Sequence, residues 1–218
     1  MKRKPISTPS GVAVWPKLNE PDKRWKTEGE FQVTLRLSAD DAVDIIKKIE
    51  EFHGNAYSRF CQDQGKNKLK KANMPFVDHE VDGEKNGEVD FKFRLKHRVE
   101  TRAGDTFTQT VALFDAKGTP MKDLIGGGSK IRVRGEMNPW FTASLGFGVS
   151  LWVKAVQVLE LVEPTGSGSA ESFGFNSTDG GFTTSEPLEF DEDKKNEPEG
   201  KAKDEATDTT KASDEDDF

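Results

Sequence analysis

Apolar and polar residues alternate through Glu30–Leu37, with Phe31, Val33, Leu35 and Leu37 on one parity, and a period of two is that of a strand with one buried face. The period then changes. Ser38 and Asp41 form a capping pair, and Val43, Ile46, Ile49, Phe52, Ala56 and Phe60 recur at spacings of three and four. This predicts a helix to about residue 62 whose apolar stripe packs on a sheet. The basic stretch Gly65 to Lys71 reads as a mobile loop. A longer alternation follows, with Val89, Phe91, Phe93, Leu95, His97 and Val99 on the core face and Asp90, Lys92, Arg94, Lys96 and Arg98 on the other. Turn residues at Arg102–Asp105 return the chain through Thr106–Phe114, with Phe107, Val111 and Leu113 inward, as a hairpin. After a second turn, the run Ile125–Ser129 opens a strand that points Ile131, Val133 and Met137 inward and Lys130, Arg132 and Arg134 outward. A last strand, about Phe147 to Val162, is nearly continuous in Val, Leu and Trp and reads as buried on both sides, Trp152 included. Five or more strands and one substantial helix favour a mainly β fold, a small curled sheet or barrel with the helix against it, because closure removes exposed edges.

The pattern stops near Pro164. Residues 163–218 contain no Val or Ile and one Leu, Leu188, and begin with a Gly/Ser run, so they cannot bury enough apolar surface to offset the entropy of ordering. They are expected to be a disordered acidic tail after a single folded domain, residues 1–162. Charge sharpens the boundary: residues 1–162 hold 27 Lys+Arg against 22 Asp+Glu, a balance of +5, while residues 163–218 hold 5 against 17, a balance of −12. A basic body attracts phosphate, and an acidic tail can mimic it or merely keep the protein in solution. No run of about 18 apolar residues, as a membrane span needs, is present, and no apolar signal segment follows the basic start Met1–Lys4. With one cysteine, Cys61, and three scattered histidines, neither a disulfide nor a Cys/His zinc site is available, and no cofactor is expected.

Single-stranded nucleic acid is held by cations that track the backbone and aromatic faces that stack on bases. Lys92, Arg94, Lys96 and Arg98 recur every second residue, at intervals of about 6.8 Å along a strand, and Lys130, Arg132 and Arg134 repeat the pattern. The candidate stackers are the aromatics out of phase with the core periods. Trp140 and Phe141 follow Asn138-Pro139, which reads as a loop because proline ends regular pairing; Trp15 precedes Pro16, and Trp25 lies in a polar run. Phe31, Phe52, Phe91, Phe93 and Phe107 obey the core periods and read as core. Enzyme motifs fail one by one. Gly126–Lys130 places Ser129 before Lys130, the reverse of a phosphate-binding loop, there is no Gly-x-Ser-x-Gly, and the densest acids lie in the tail, where no catalytic geometry is held.

Several fragments then occur in a shared order: Asn73-Met-Pro-Phe76, Phe91-Lys-Phe93, Phe114-Asp-Ala-Lys-Gly118, Ile125-Gly-Gly-Gly-Ser-Lys130, Leu159-Glu-Leu-Val162 and the terminal Asp217-Phe218. This succession, covering most of the body and the terminus, resembles the single-stranded DNA-binding proteins of T-odd-type tailed phages. The resemblance implies a five-stranded OB-fold barrel with an added helix and single-stranded DNA binding in phage replication, recombination and repair, in the cytoplasm of the infected bacterial host. It also implies homodimers, and a tail that recruits the phage DNA polymerase and helicase-primase through Asp214, Glu215, Asp216, Asp217 and Phe218. Where the family carries an aromatic after the proline, this chain has Trp140. An acidic-tailed protein chaperone that binds no nucleic acid is the competing class; a nuclease would need clustered carboxylates in the body, which the sequence lacks.

Overall fold

Five strands close a ring: β2 (Gly11–Asp22), β3 (Glu30–Ser38), β5 (Glu84–Lys96), β9 (Lys130–Thr142) and β10 (Gly146–Glu160). They neighbour one another in the order β2-β3-β5-β10-β9 and back to β2, all antiparallel except the β5–β10 pair. Counted along the chain, the ring runs first, second, third, fifth, fourth, which is the Greek-key closure of an OB-fold barrel. The computed structural model describes residues 2–24, 26–101 and 103–164. Trp25, the tail acids Asp214, Glu215, Asp216 and Asp217, Phe218 and the expected disorder beyond Pro164 lie outside the described residues. The chain divides into two units, Met1–Asn176 and Ser177–Phe218, and every described residue belongs to the first.

The alternation read from the sequence is what fills the barrel. Phe31, Val33, Leu35 and Leu37 of β3 meet Phe91, Phe93 and Leu95 of β5 in register, and all are essentially inaccessible. Burying each such side chain is worth about 1.5–3 kcal/mol relative to leaving it in water. Helix α1 (Ala39–Asp63) begins at Ser38, whose Oγ accepts from the Asp41 N–H at 3.2 Å, satisfying one of the orphan donors of the first turn. Its buried residues are Ala42, Ile45, Ile49, His53 and Cys61. The stripe expected from the sequence holds at Ile49, while Val43 is 59% exposed and Ile46 and Phe52 pack against the core from its margin; helical spacing fits neighbouring stripes that share Ile49, and the approach of α1 to the barrel selects one. His53 packs 5.5 Å from Phe147 and 6.1 Å from Tyr57, and burial pushes its pKa down.

Shorter strands edge the ring: β1 (Lys4–Ser7) on β9, β4 (Phe76–Val81) on β5, and β8 (Ala112–Phe114) parallel to β10. Several expectations fail here. β5 ends at Lys96, and the continuation to Val99 becomes β6 (Arg98–Glu100), paired only with β7 (Thr106–Thr108). Backbone bonds from His97 to Gly29 and from Arg98 to Glu28 turn the chain off the barrel. Phe107 is consequently 48% exposed, not core, because its hairpin has no wall to face. Nor does Gly126–Ser129 open a strand. It is a tight loop in which Gly126 N–H bonds Val162 O and Gly128 N–H bonds Ala13 O, and a Cβ on Gly126 would lie 2.6 Å from the backbone of Glu163. The basic segment Lys66–Lys71 is likewise docked: the Tyr57 hydroxyl donates to Leu69 O and accepts from Leu69 N–H, both at 2.9 Å, and Lys70 Nζ donates to Ser144 O at 2.8 Å. Among the described residues, no helix is long and apolar enough to cross a membrane.

Candidate nucleic-acid interface

The outward parity of β5 carries Lys92, Arg94 and Lys96, all exposed, between β3 and β10. Register places Gln32, Arg94, Trp152 and Glu136 in one row across β3, β5, β10 and β9, about 14 Å of sheet at roughly 4.8 Å per strand. Lys92, Arg94, Lys96, Trp140, Trp152 and Asn73 line an open groove of about 310 Å³. Lys92 and Arg94 also line its continuation, of about 320 Å³, with Trp15, Arg24, Gln32 and Thr34. The two halves form one track with a tryptophan at each end and cations between them. Among the described residues, Lys92 and Lys96 make no ion pair, while Arg94 reaches Glu30 only at 4.0 Å. Arg24 is engaged: it holds Asp22 in a two-pronged pair at 2.7–3.2 Å, which lowers the Asp22 pKa to about 2.

Trp140 is not in a loop. It lies within β9 opposite Gly148 of β10, and Pro139 is tolerated because of pairing parity. Val133 turns its backbone groups to the β1 side, its O accepting from Thr8 N–H and its N–H donating to Thr8 Oγ1, so residues 135, 137 and 139 turn theirs to that side too. β1 ends opposite Met137, at Lys4, so the N–H that proline lacks has no partner to lose. Trp140 thereby gains the outward parity of β9. Its ring lies so close over Gly148 that a Cβ there would meet it at 2.6 Å. Phe141 takes the opposite parity and packs on Phe60 of α1, ring centroids 4.9 Å apart, although it is 39% exposed. Trp15 is 82% exposed and held at φ +50°, where β2 and β3 slip register between Val14 and Lys17; a bulky residue with positive φ costs of order 1–2 kcal/mol.

The remaining cations separate. Arg98 leaves with the β6–β7 hairpin. Arg132 and Arg134 line a different cavity, about 580 Å³, with Ser7, Pro9 and Phe114, and Lys130 pairs with Glu160 at 3.3 Å. Trp152, expected in the core, is only partly buried: it packs against the core cluster and also lines the groove. The signal was present, because Ser150, Trp152 and Lys154 alternate with Val149, Leu151 and Val153, and only the latter are buried.

A closed OB barrel bearing an open track of exposed cations and tryptophans is the architecture of a single-strand-binding protein. The family model described as single-stranded DNA-binding protein of bacteriophage T7 matches residues 12–161, and the chain belongs to that family. It is therefore a DNA-binding protein and not an enzyme. The barrel is similar to the crystal structure of gp2.5, the single-stranded DNA-binding protein encoded by bacteriophage T7, with TM-score 0.64 and 23% identity, over 84% of this chain and 100% of that one. It is also similar to the single-stranded DNA-binding protein of bacteriophage Enc34, with TM-score 0.54 and 16% identity, over 78% and 90%, and to the same protein in complex with ssDNA, with TM-score 0.52, over 74% and 89%. No curated protein matches.

Proposed function

We propose that the chain coats single-stranded DNA with little sequence preference, the strand running along the groove between Trp140 and Trp15. The observation that carries this reading is the meeting of Lys92, Arg94 and Lys96 with Trp140 in one open groove. Cations release the counterions condensed on phosphates, and tryptophan accepts any base because every base has a π-face. A fluorescence titration with oligo-dT tests it: affinity should fall linearly in log–log with salt, and weak, salt-independent binding would refute it. Neutralising Lys92, Arg94 or Lys96 singly should lower affinity for all sequences and reduce the slope by roughly 0.7 per lost contact. Neutralising Arg98 should leave the slope unchanged, and salt titrations of the four variants check both statements.

In this reading the protein serves phage DNA replication, recombination and repair in the cytoplasm of the infected cell, and its acidic tail competes with DNA for the groove cations and recruits the phage polymerase and helicase-primase. Pro164 supports the tail's part, since it lines one cavity with Trp15 and Arg24; the acidic segment begins beside the groove, at high effective concentration. Deleting residues 165–218 should tighten DNA binding, most at low salt. Deleting Phe218 alone should leave DNA affinity within about twofold, ~0.4 kcal/mol, yet weaken polymerase pull-down at matched salt, because ring and terminal carboxylate together suit an apolar pocket rimmed by cations. A tail that only solubilises would show no partner defect from that one-residue deletion.

A further inference from the structure

Trp152 lies outward on β10 between Arg94 and Glu136, yet its ring face is covered. The Arg3 guanidinium sits 4.1 Å above the ring centroid and Lys154 Nζ 5.7 Å from it. Both cations share one counter-ion: Arg3 Nη1 and Lys154 Nζ each stand 3.8 Å from Glu136 Oε2. That oxygen is buried and accepts no hydrogen bond. Charge-assisted bonds in a settled ion pair run 2.7–2.9 Å, and a buried acceptor left unmade costs free energy. The cluster is therefore compensated through space and not bonded. Among the described residues its polar tether is Arg3 Nε donating to Asn138 Oδ1 at 3.2 Å. Arg3 also lies one residue before β1, so it can move without breaking a ladder.

We infer that Trp152 is a third base-stacking platform, on which Arg3 stands in for a base in the free protein, and that Glu136 is the brake that keeps it there. The inference rests on the proposed binding of single-stranded DNA in this groove. A guanidinium plane and a nucleobase occupy the same place on an indole face. A phosphate also offers what Glu136 does not, oxygens free to approach both cations at bonding distance. DNA entry is then an exchange in which a base replaces Arg3 on Trp152 while phosphate replaces Glu136 as counter-ion to Arg3 and Lys154. Opening the cluster is drawn from DNA affinity, so weakening the brake strengthens binding.

The test is a double-mutant cycle read by oligo-dT titration at fixed low salt, with thermal melts confirming folding; the Arg3 side chain is exposed and Glu136 lies outside the core. Glu136→Gln should tighten binding about tenfold and steepen the salt slope by up to roughly 1.4, two single-strand contacts. In the Arg3→Ala background the gain should fall to threefold or less, because no stand-in remains to be held. A gain that is absent in the wild-type background, or as large without Arg3 as with it, overturns the inference; the second result would show only the removal of a negative charge near DNA. If the unaltered protein shows no salt-dependent binding to oligo-dT, the proposed function itself fails and this inference with it. Wild-type binding without the Glu136 gain defeats this inference alone.

Discussion

Trp140→Ala is expected to weaken oligonucleotide binding by about 1–3 kcal/mol, the loss of one base stack, while costing only about 1 kcal/mol of folding stability. The asymmetry follows from where the ring lies. The ring rests against Gly148, where even a Cβ would approach it to 2.6 Å, and Trp140 also lines the groove shared with Lys92 and Arg94. The resting face gives the ring its fixed orientation, so little rotamer entropy is lost when a base arrives. That contact is also why stability does not escape untouched, as it would for a tryptophan on a free loop. Paired oligo-dT titrations and thermal melts measure the two losses; unchanged affinity beside a clear loss of stability would make Trp140 a packing residue and move the DNA path elsewhere.

At Trp15 the two quantities should part in direction. Trp15→Gly removes an 82%-exposed ring and should again cost about 1–3 kcal/mol of binding. The backbone at φ +50° suits glycine, however. Releasing about 1–2 kcal/mol of strain outweighs or matches the roughly 0.5–1 kcal/mol of extra chain entropy that glycine carries. Stability should therefore hold or rise by up to about 1.5 kcal/mol, a few degrees in Tm for a body of this size. Trp15→Ala keeps the strain and loses the stack, so it separates the contributions. A clear drop in Tm for the glycine variant, or unchanged affinity, would show that this residue is held for packing and not for DNA.

The strand parities were determined by the sequence alone, because an alternating strand has only one way to hide its apolar face: Phe31 to Leu37 and Val89 to Leu95 turned inward as their spacing required, leaving Lys92, Arg94 and Lys96 outward. The Ser38 cap and the existence of α1 were likewise local, since a hydroxyl and the N–H three residues on need no distant partner. What tertiary structure alone decided was which outward residues meet. Arg98 continues the same parity as Lys96, but bonds from His97 and Arg98 to the β2–β3 turn carry it off the barrel. Arg132 and Arg134 obey the same rule as the groove cations and line another cavity, because β9 takes them to the β1 side. Pro139 stands inside a strand only because β1 stops short of it, a fact about a neighbour more than a hundred residues away in sequence. Trp152 reads as core in a run of Val and Leu and becomes a groove wall once register sets it beside Arg94. Period and caps act within a few residues, whereas a groove is assembled by pairing register and ring closure between distant segments.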